Sequence, residues 1–177
     1  MNVADKIALF SAIGGWVSGV GALAAVITSL YIANKKVKVR LSCHVAEKVI
    51  LTPGMGEENN RESGIAFEVV NLTTLPITIN TIGWRFDRRY YWHQMFGDRM
   101  SHALPKRLDY GESAFFWVSL EGKEDEWFND FATELNSKGA KAKRVECAIS
   151  TSTGGPRYFP VDEKLKAKFR GLISSAI

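Results

Sequence analysis

Residues 65–86 read IAFEVVNLTTLPITINTIGWRF, and the rhythm of that stretch marks the chain as a β protein. Ile65, Phe67 and Val69 recur at every second position, the signature of a strand buried on one side. Asn71 to Pro76 collects turn-forming residues and a proline that break the ladder. Alternation resumes at Ile77 and Ile79, then returns at Ile82, Trp84 and Phe86 in the opposite phase. An extra residue between Asn80 and Gly83 produces such a slip, so a bulge or bend is predicted there.

The same rhythm spreads outward. Val37, Val39, Leu41, Cys43 and Val45 point one way, while Lys36, Lys38, Arg40, Ser42 and His44 point the other. Ala114 to Val118 is apolar on both faces and reads as a central strand. Val145, Cys147 and Ile149 alternate with Arg144 and Glu146, and Tyr158 with Phe159 makes a short last strand. Two helical patterns sit among them. Residues 124–136 place Trp127, Phe128, Phe131 and Leu135 on one face, after three acids that suit a helix start. Asp162 can cap a second helix bearing Leu165, Phe169, Leu172 and Ile173. Strands at this spacing, separated by Gly, Pro, Asn and Thr, predict a mainly β, antiparallel β-sandwich over residues 34–177 with one or two peripheral helices.

Ahead of that domain, residues 1–6 form a short tail and Ile7 to Ala33 carries no charge. The run exceeds the ~20 residues that cross a hydrocarbon core, which predicts an N-terminal transmembrane helix over 7–33. A cleaved signal peptide would have an apolar region about half as long, a basic leader and a small-x-small exit. Lys35, Lys36, Lys38 and Arg40 crowd the C-terminal flank, whereas Asp5 and Lys6 cancel at the other end. Basic flanks stay in the cytoplasm, so the expected topology is single-pass in the cytoplasmic (inner) membrane, N-terminus outside and C-terminal domain inside. Lys38 and Arg40 also suit the solvent face of a first strand. If the domain were exported instead, Cys43 and Cys147 would be candidates for an inter-sheet disulfide.

Within the span, Ser11, Gly15, Ser18, Ala22, Ala25 and Ser29 recur at steps of four and three, and Gly19 stands four residues after Gly15. Small residues on one face let helix backbones approach closely in lipid, so the stripe predicts packing on itself or on another membrane protein. Gly19-Val20-Gly21-Ala22-Leu23-Ala24 matches a dinucleotide fingerprint, but no strand precedes it and it lies inside an apolar run.

Chemical motifs are scarce. His44, His93 and His102 are scattered, there is no HExxH, GxSxG or Walker loop, and the acids Glu124, Asp125 and Glu126 read as a helix start. No catalytic residue, cofactor site or metal site is predicted. Thr151 to Gly155 could present amides to an anion, although turn chemistry accounts for it equally. The formal net charge of +4 is modest and suits a domain near an anionic leaflet. Trp84, Arg85, Arg88, Arg89, Tyr90, Tyr91 and Trp92 interleave bases with aromatics. A strand followed by a sticky loop is the plainer reading, partner or lipid contact comes next, and nucleic acid is disfavoured. Lys164, Lys166, Lys168 and Arg170 surround the apolar stripe of the last helix, and a basic face turned to water is preferred over a membrane-lying helix.

Three stretches carry a resemblance: LYIANKK at 30–36, FEVVNLTTLPITINTIGW at 67–84 and LPKRLDYGESAFFW at 104–117. In layout the chain resembles small bacterial and phage-borne single-span membrane proteins, of uncharacterised function, with a C-terminal immunoglobulin-like β-sandwich domain. The resemblance implies architecture and a setting such as phage defence or exclusion, and it carries no functional residue. The function expected is non-enzymatic: an interaction or scaffold protein in the lipid bilayer that assembles through its span and binds a protein or small ligand through its cytoplasmic domain. A ligand-sensing effector whose clustered spans perturb the membrane is the alternative.

Overall fold

The computed structural model describes residues 2–34, 38–51 and 61–174, in two compact units that meet in the chain after Val37. The first unit contains α1, Val3–Ala33, which begins four residues before the uncharged run. Its start is fixed by a local exchange: the Asn2 backbone N–H donates to the Asp5 carboxylate at 2.9 Å, satisfying a donor that would otherwise lack a partner. Every described residue of α1 is exposed, Trp16 at 77% included. The helix is long and apolar enough to cross a membrane, and a signal sequence near an N-terminus would share those properties. Lys38 and Arg40 are exposed, while Lys35 and Lys36 lie outside the described residues.

The second unit is mainly β, with eight described strands, all antiparallel, in two sheets. One sheet joins β1 (Leu41–Leu51), β2 (Arg61–Asn71) and β6 (Ser113–Ser119) in the order β1-β2-β6. The other joins β4 (Tyr90–His93), β3 (Ile77–Phe86), β7 (Val145–Thr151) and β8 (Arg157–Pro160) in the order β4-β3-β7-β8, with β5 (Lys106–Leu108) also paired to β3. Both sheets contribute to one core: Val45, Phe67 and Phe116 from the first, and Ile79, Trp84, Phe86 and Cys147 from the second. The helices α2 (Glu124–Ser137) and α3 (Glu163–Ser174) bring Phe128, Leu135, Leu165 and Phe169 into the same cluster. Asp162 caps α3, its carboxylate accepting the Lys164 N–H at 2.9 Å. The side chain of Ile173 lies outside the described residues.

The phase slip in β3 is a register shift between Ile79 and Thr81 against β7, and it turns Ile77, Ile79, Ile82, Trp84 and Phe86 all inward. The turn before β3 is built on buried Asn71. Its side-chain amide donates to the Leu75 and Leu108 carbonyls, both at 3.1 Å, while its oxygen accepts the Thr73 N–H at 2.8 Å.

Three expectations need correction. β6 is not central, because within its sheet it pairs with β2 alone. Its other edge is met by a loop: Phe115 O accepts the His102 N–H at 3.0 Å, and the Trp117 N–H donates to Ser101 Oγ at 3.2 Å. Its second face is covered at Trp117, which lies over Gly64 and donates to Glu62, so both faces are apolar without a neighbouring strand on each side. The first strand starts at Leu41, later than its alternation begins, and runs on to Leu51, with Cys43 half-buried. The stretch after Phe86 is not a loop; it turns back as β4 against β3.

Candidate functional site

The aromatic-basic stretch divides between two faces of the second sheet, because alternation along β3 and β4 sends neighbouring side chains to opposite sides. Trp84 is 0% exposed, so it belongs to the core and is unavailable for surface contact. Its ring packs edge-on against Phe67 at 5.2 Å and Phe169 at 5.5 Å, and its indole N–H donates to Gln94 Oε1 at 3.0 Å. Trp92, opposite it in register, and Tyr90 are half-buried against that core. Arg88 and Arg89 are exposed in the β3–β4 turn, where Asp87 and Arg88 take positive φ of 49° and 60°. Such angles are uncommon outside glycine, and Asp87 is held there by two bonds. Its carboxylate accepts the Lys141 N–H at 2.8 Å and the Arg144 N–H at 3.1 Å, and the Tyr90 hydroxyl donates to the Lys138 carbonyl at 2.7 Å. The hairpin tip therefore grips the segment entering β7.

On the outward face, pairing lines up Tyr91, Arg85, Glu146 and Pro160 across β4, β3, β7 and β8. The Arg85 guanidinium sits 3.2 Å from the centre of the Tyr158 ring and donates through Nε at 2.7 Å, and through Nη2, to Glu146 Oε2. Arg144 Nε takes the other carboxylate oxygen, Oε1, at 2.9 Å. Burial pushes the Glu146 carboxyl up, but the hydrogen bonds from Arg85 and Arg144 outweigh it, and the group lies below the ordinary carboxylate range. Glu146 is thus held ionised with both oxygens engaged, which suits it to fixing arginines and not to proton transfer.

Beside this row opens a pocket of about 310 Å³, lined by Lys143, Arg144, Glu146, Tyr158, Lys166 and Arg170 among others. Lys143 and Arg144 come from the gripped segment, and Lys166 with Arg170 from successive turns of α3. Arg170 Nη2 donates to the Lys143 carbonyl at 3.1 Å, which ties the two walls together, and Lys166 bonds to Glu163 at 2.7 Å. Four cations line the pocket; Arg144 is engaged by Glu146 and Lys166 by Glu163, and the cationic side chains still outnumber the one lining carboxylate. One exposed ion pair is worth ~0–1 kcal/mol, so it is the convergence of several cations that makes the pocket suited to an anion. A second, more apolar pocket of about 530 Å³ lies at the β3 bulge, against Met95, Phe96 and Leu104.

The basic face of α3 is expected to turn to water. Lys168 departs from that picture: its ammonium binds Glu47 of β1 at 2.8 Å and Glu124 of α2 at 2.6 Å, joining three elements. The spacing of Lys166 and Arg170 was the available signal for the pocket; their meeting with Lys143 and Arg144 carried none. The stripe residues Ser11, Gly15, Ser18, Gly19, Ala22, Ala25 and Ser29 all lie on α1, where Gly15 and Gly19 with Ala12 and Leu23 line a shallow apolar groove. Among the described residues, no three of His, Cys, Asp and Glu gather as metal ligands. Compared with protein-family models and with curated proteins, the chain matches none.

Proposed function

We propose that this is a membrane-anchored, non-enzymatic interaction protein that assembles through its span and binds an anionic partner through a cytoplasmic domain. The observation that carries the proposal is α1, whose apolar side chains are exposed along its whole length. A helix apolar all round needs lipid or another helix about it. The small-residue stripe supports assembly with itself or with another span. Exposed Lys38 and Arg40 support retention of the domain in the cytoplasm. The strand orders β1-β2-β6 and β4-β3-β7-β8 support reading the domain as an immunoglobulin-like sandwich, an interaction architecture that carries no chemistry of its own. Phage defence or exclusion suits such a plan through the resemblance in layout.

The test is co-purification from membranes in mild detergent, with two variants run alongside wild type. Gly15→Leu with Ser18→Leu should dissolve the assembly and leave the domain folded. Lys166→Glu with Arg170→Glu should release the partner and leave the assembly intact. A wild-type monomer without a partner counts against the proposal, as does digestion of the domain by protease added outside intact spheroplasts.

A further inference from the structure

Cys43 stands on β1 in the first sheet and Cys147 on β7 in the second, 104 residues apart in the chain. The Cys43 thiol donates toward the Cys147 sulfur, and the two sulfurs are 3.9 Å apart. A disulfide holds its sulfurs ~2.05 Å apart, so closure asks for the two to approach by about 1.9 Å. The chain has no third cysteine to compete. Cys147 is 0% exposed, in register with Trp84 on one side and Phe159 on the other, whereas Cys43 is half-buried and open to a small reagent. We propose that Cys43 and Cys147 are a closable dithiol, a modification site that reacts with a disulfide-class oxidant such as oxidised glutathione and becomes a covalent bond between the two sheets.

The chemistry balances in two exchanges. The Cys43 thiolate attacks one sulfur of the oxidant, forming a mixed disulfide and expelling one thiolate. Cys147 then attacks the Cys43 sulfur and expels the second thiolate, which takes up the Cys147 proton as it leaves. Two protein thiols are oxidised to one disulfide, and one small disulfide is reduced to two thiols. Entry at Cys43 follows from access, and also from burial, which together with the Cys43 contact pushes the Cys147 thiol well above its ordinary pKa. The inference is independent of the partner pocket and of topology. Compartment decides only which form prevails: reduced against a cytoplasmic thiol pool, closed in an oxidising space.

The experiment uses the full chain, purified reduced in mild detergent and equilibrated with mixtures of reduced and oxidised glutathione. Intact mass should fall by two hydrogens, and non-reducing peptide maps should join the Cys43 and Cys147 peptides within one chain. The circular dichroism should stay native and the thermal midpoint rise, and dithiothreitol should reverse both the mass change and the midpoint. Cys147→Ser should stop at a glutathione adduct on Cys43, and Cys43→Ser should leave Cys147 unmodified until the fold is opened with denaturant. Closure only in denaturant, an adduct on wild-type Cys43 that never resolves, a disulfide between two chains, or loss of native structure on oxidation would each overturn the proposal.

Discussion

Trp84→Ala separates the two roles open to the aromatic-basic stretch. The indole is fully enclosed, in edge contact with Phe67 and Phe169, and with Trp127 at 5.9 Å and Phe131 at 6.2 Å. Truncating a buried aromatic of this kind costs ~3–5 kcal/mol, because the lost transfer energy is joined by a cavity that α2 and α3 cannot fill. The variant also leaves the Gln94 side-chain oxygen without its indole donor. For the roughly 140 residues of Lys38–Ile177, unfolding entropy of ~2.1 cal/mol/K per residue gives about 0.3 kcal/mol/K. A loss of ~4 kcal/mol therefore lowers the thermal midpoint by about 13 °C. The assay is thermal unfolding of the detergent-solubilised full chain, followed by circular dichroism in the β region. Tyr91→Ala, on the outward face, serves as the control and should move the midpoint by no more than about 2 °C. A Trp84→Ala variant that melts with wild type but loses its partner would refute the core assignment and return this tryptophan to the surface.

Further expectations follow from single contacts. Gly64→Ala should destabilise the domain by several kcal/mol, because a Cβ there overlaps the Trp117 ring and the Val118 carbonyl; native yield and urea midpoint report it. Asn71→Ala leaves the buried Leu108 carbonyl without its donor and should cost ~1–3 kcal/mol, read from the same urea curves. Because the folded state holds the Glu146 pKa below its ordinary value, the carboxylate stabilises the fold above the ordinary range near 4.5, and that contribution fades as pH falls through the lowered value. The stability gap between wild type and Glu146→Gln should be full near neutrality and close below that range; a gap independent of pH would exclude the Arg85–Glu146–Arg144 cluster as its source.

How much of this was legible in the sequence depended on whether the relevant partner was local. The two phases of Ile77–Phe86 report a bulge because a strand carries its own period, and the turn at Asn71 announces itself within five residues. β4 was harder to see, because Tyr90, Tyr91 and Trp92 are large on both faces and mask alternation. β5 is three residues long, too short to show a period at all. Apolar residues on both faces of β6 usually mean strands on both sides, and here a loop through Ser101 and His102 takes the place of one of them. The pocket was invisible for a different reason. Lys143 and Arg170 lie 27 residues apart, and only the packing that brings Arg170 to the Lys143 carbonyl makes them neighbours. The cysteines' inward phase could be read, and with it their candidacy as an inter-sheet pair; the 3.9 Å that separates their sulfurs could not.

The way the outer edge of β1 is finished bears on how the protein is made. Val45 O accepts the Asp162 N–H at 2.9 Å, and Glu47 waits for Lys168, so this strand is completed by residues more than a hundred positions further along. During synthesis β1 and β2 can pair as soon as both have left the ribosome, since their register is continuous from Leu41↔Asn71 to Leu51↔Arg61. The other side of β1 then stays bare until the segment leading into α3 emerges. Throughout that interval neighbouring ribosomes on one message carry the same unfinished hairpin, each offering an unpaired edge to the next. The segment leading into α3 therefore closes the free edge of β1, and a pause in translation before residue 162 would lengthen the interval in which that edge stays bare without altering the finished molecule.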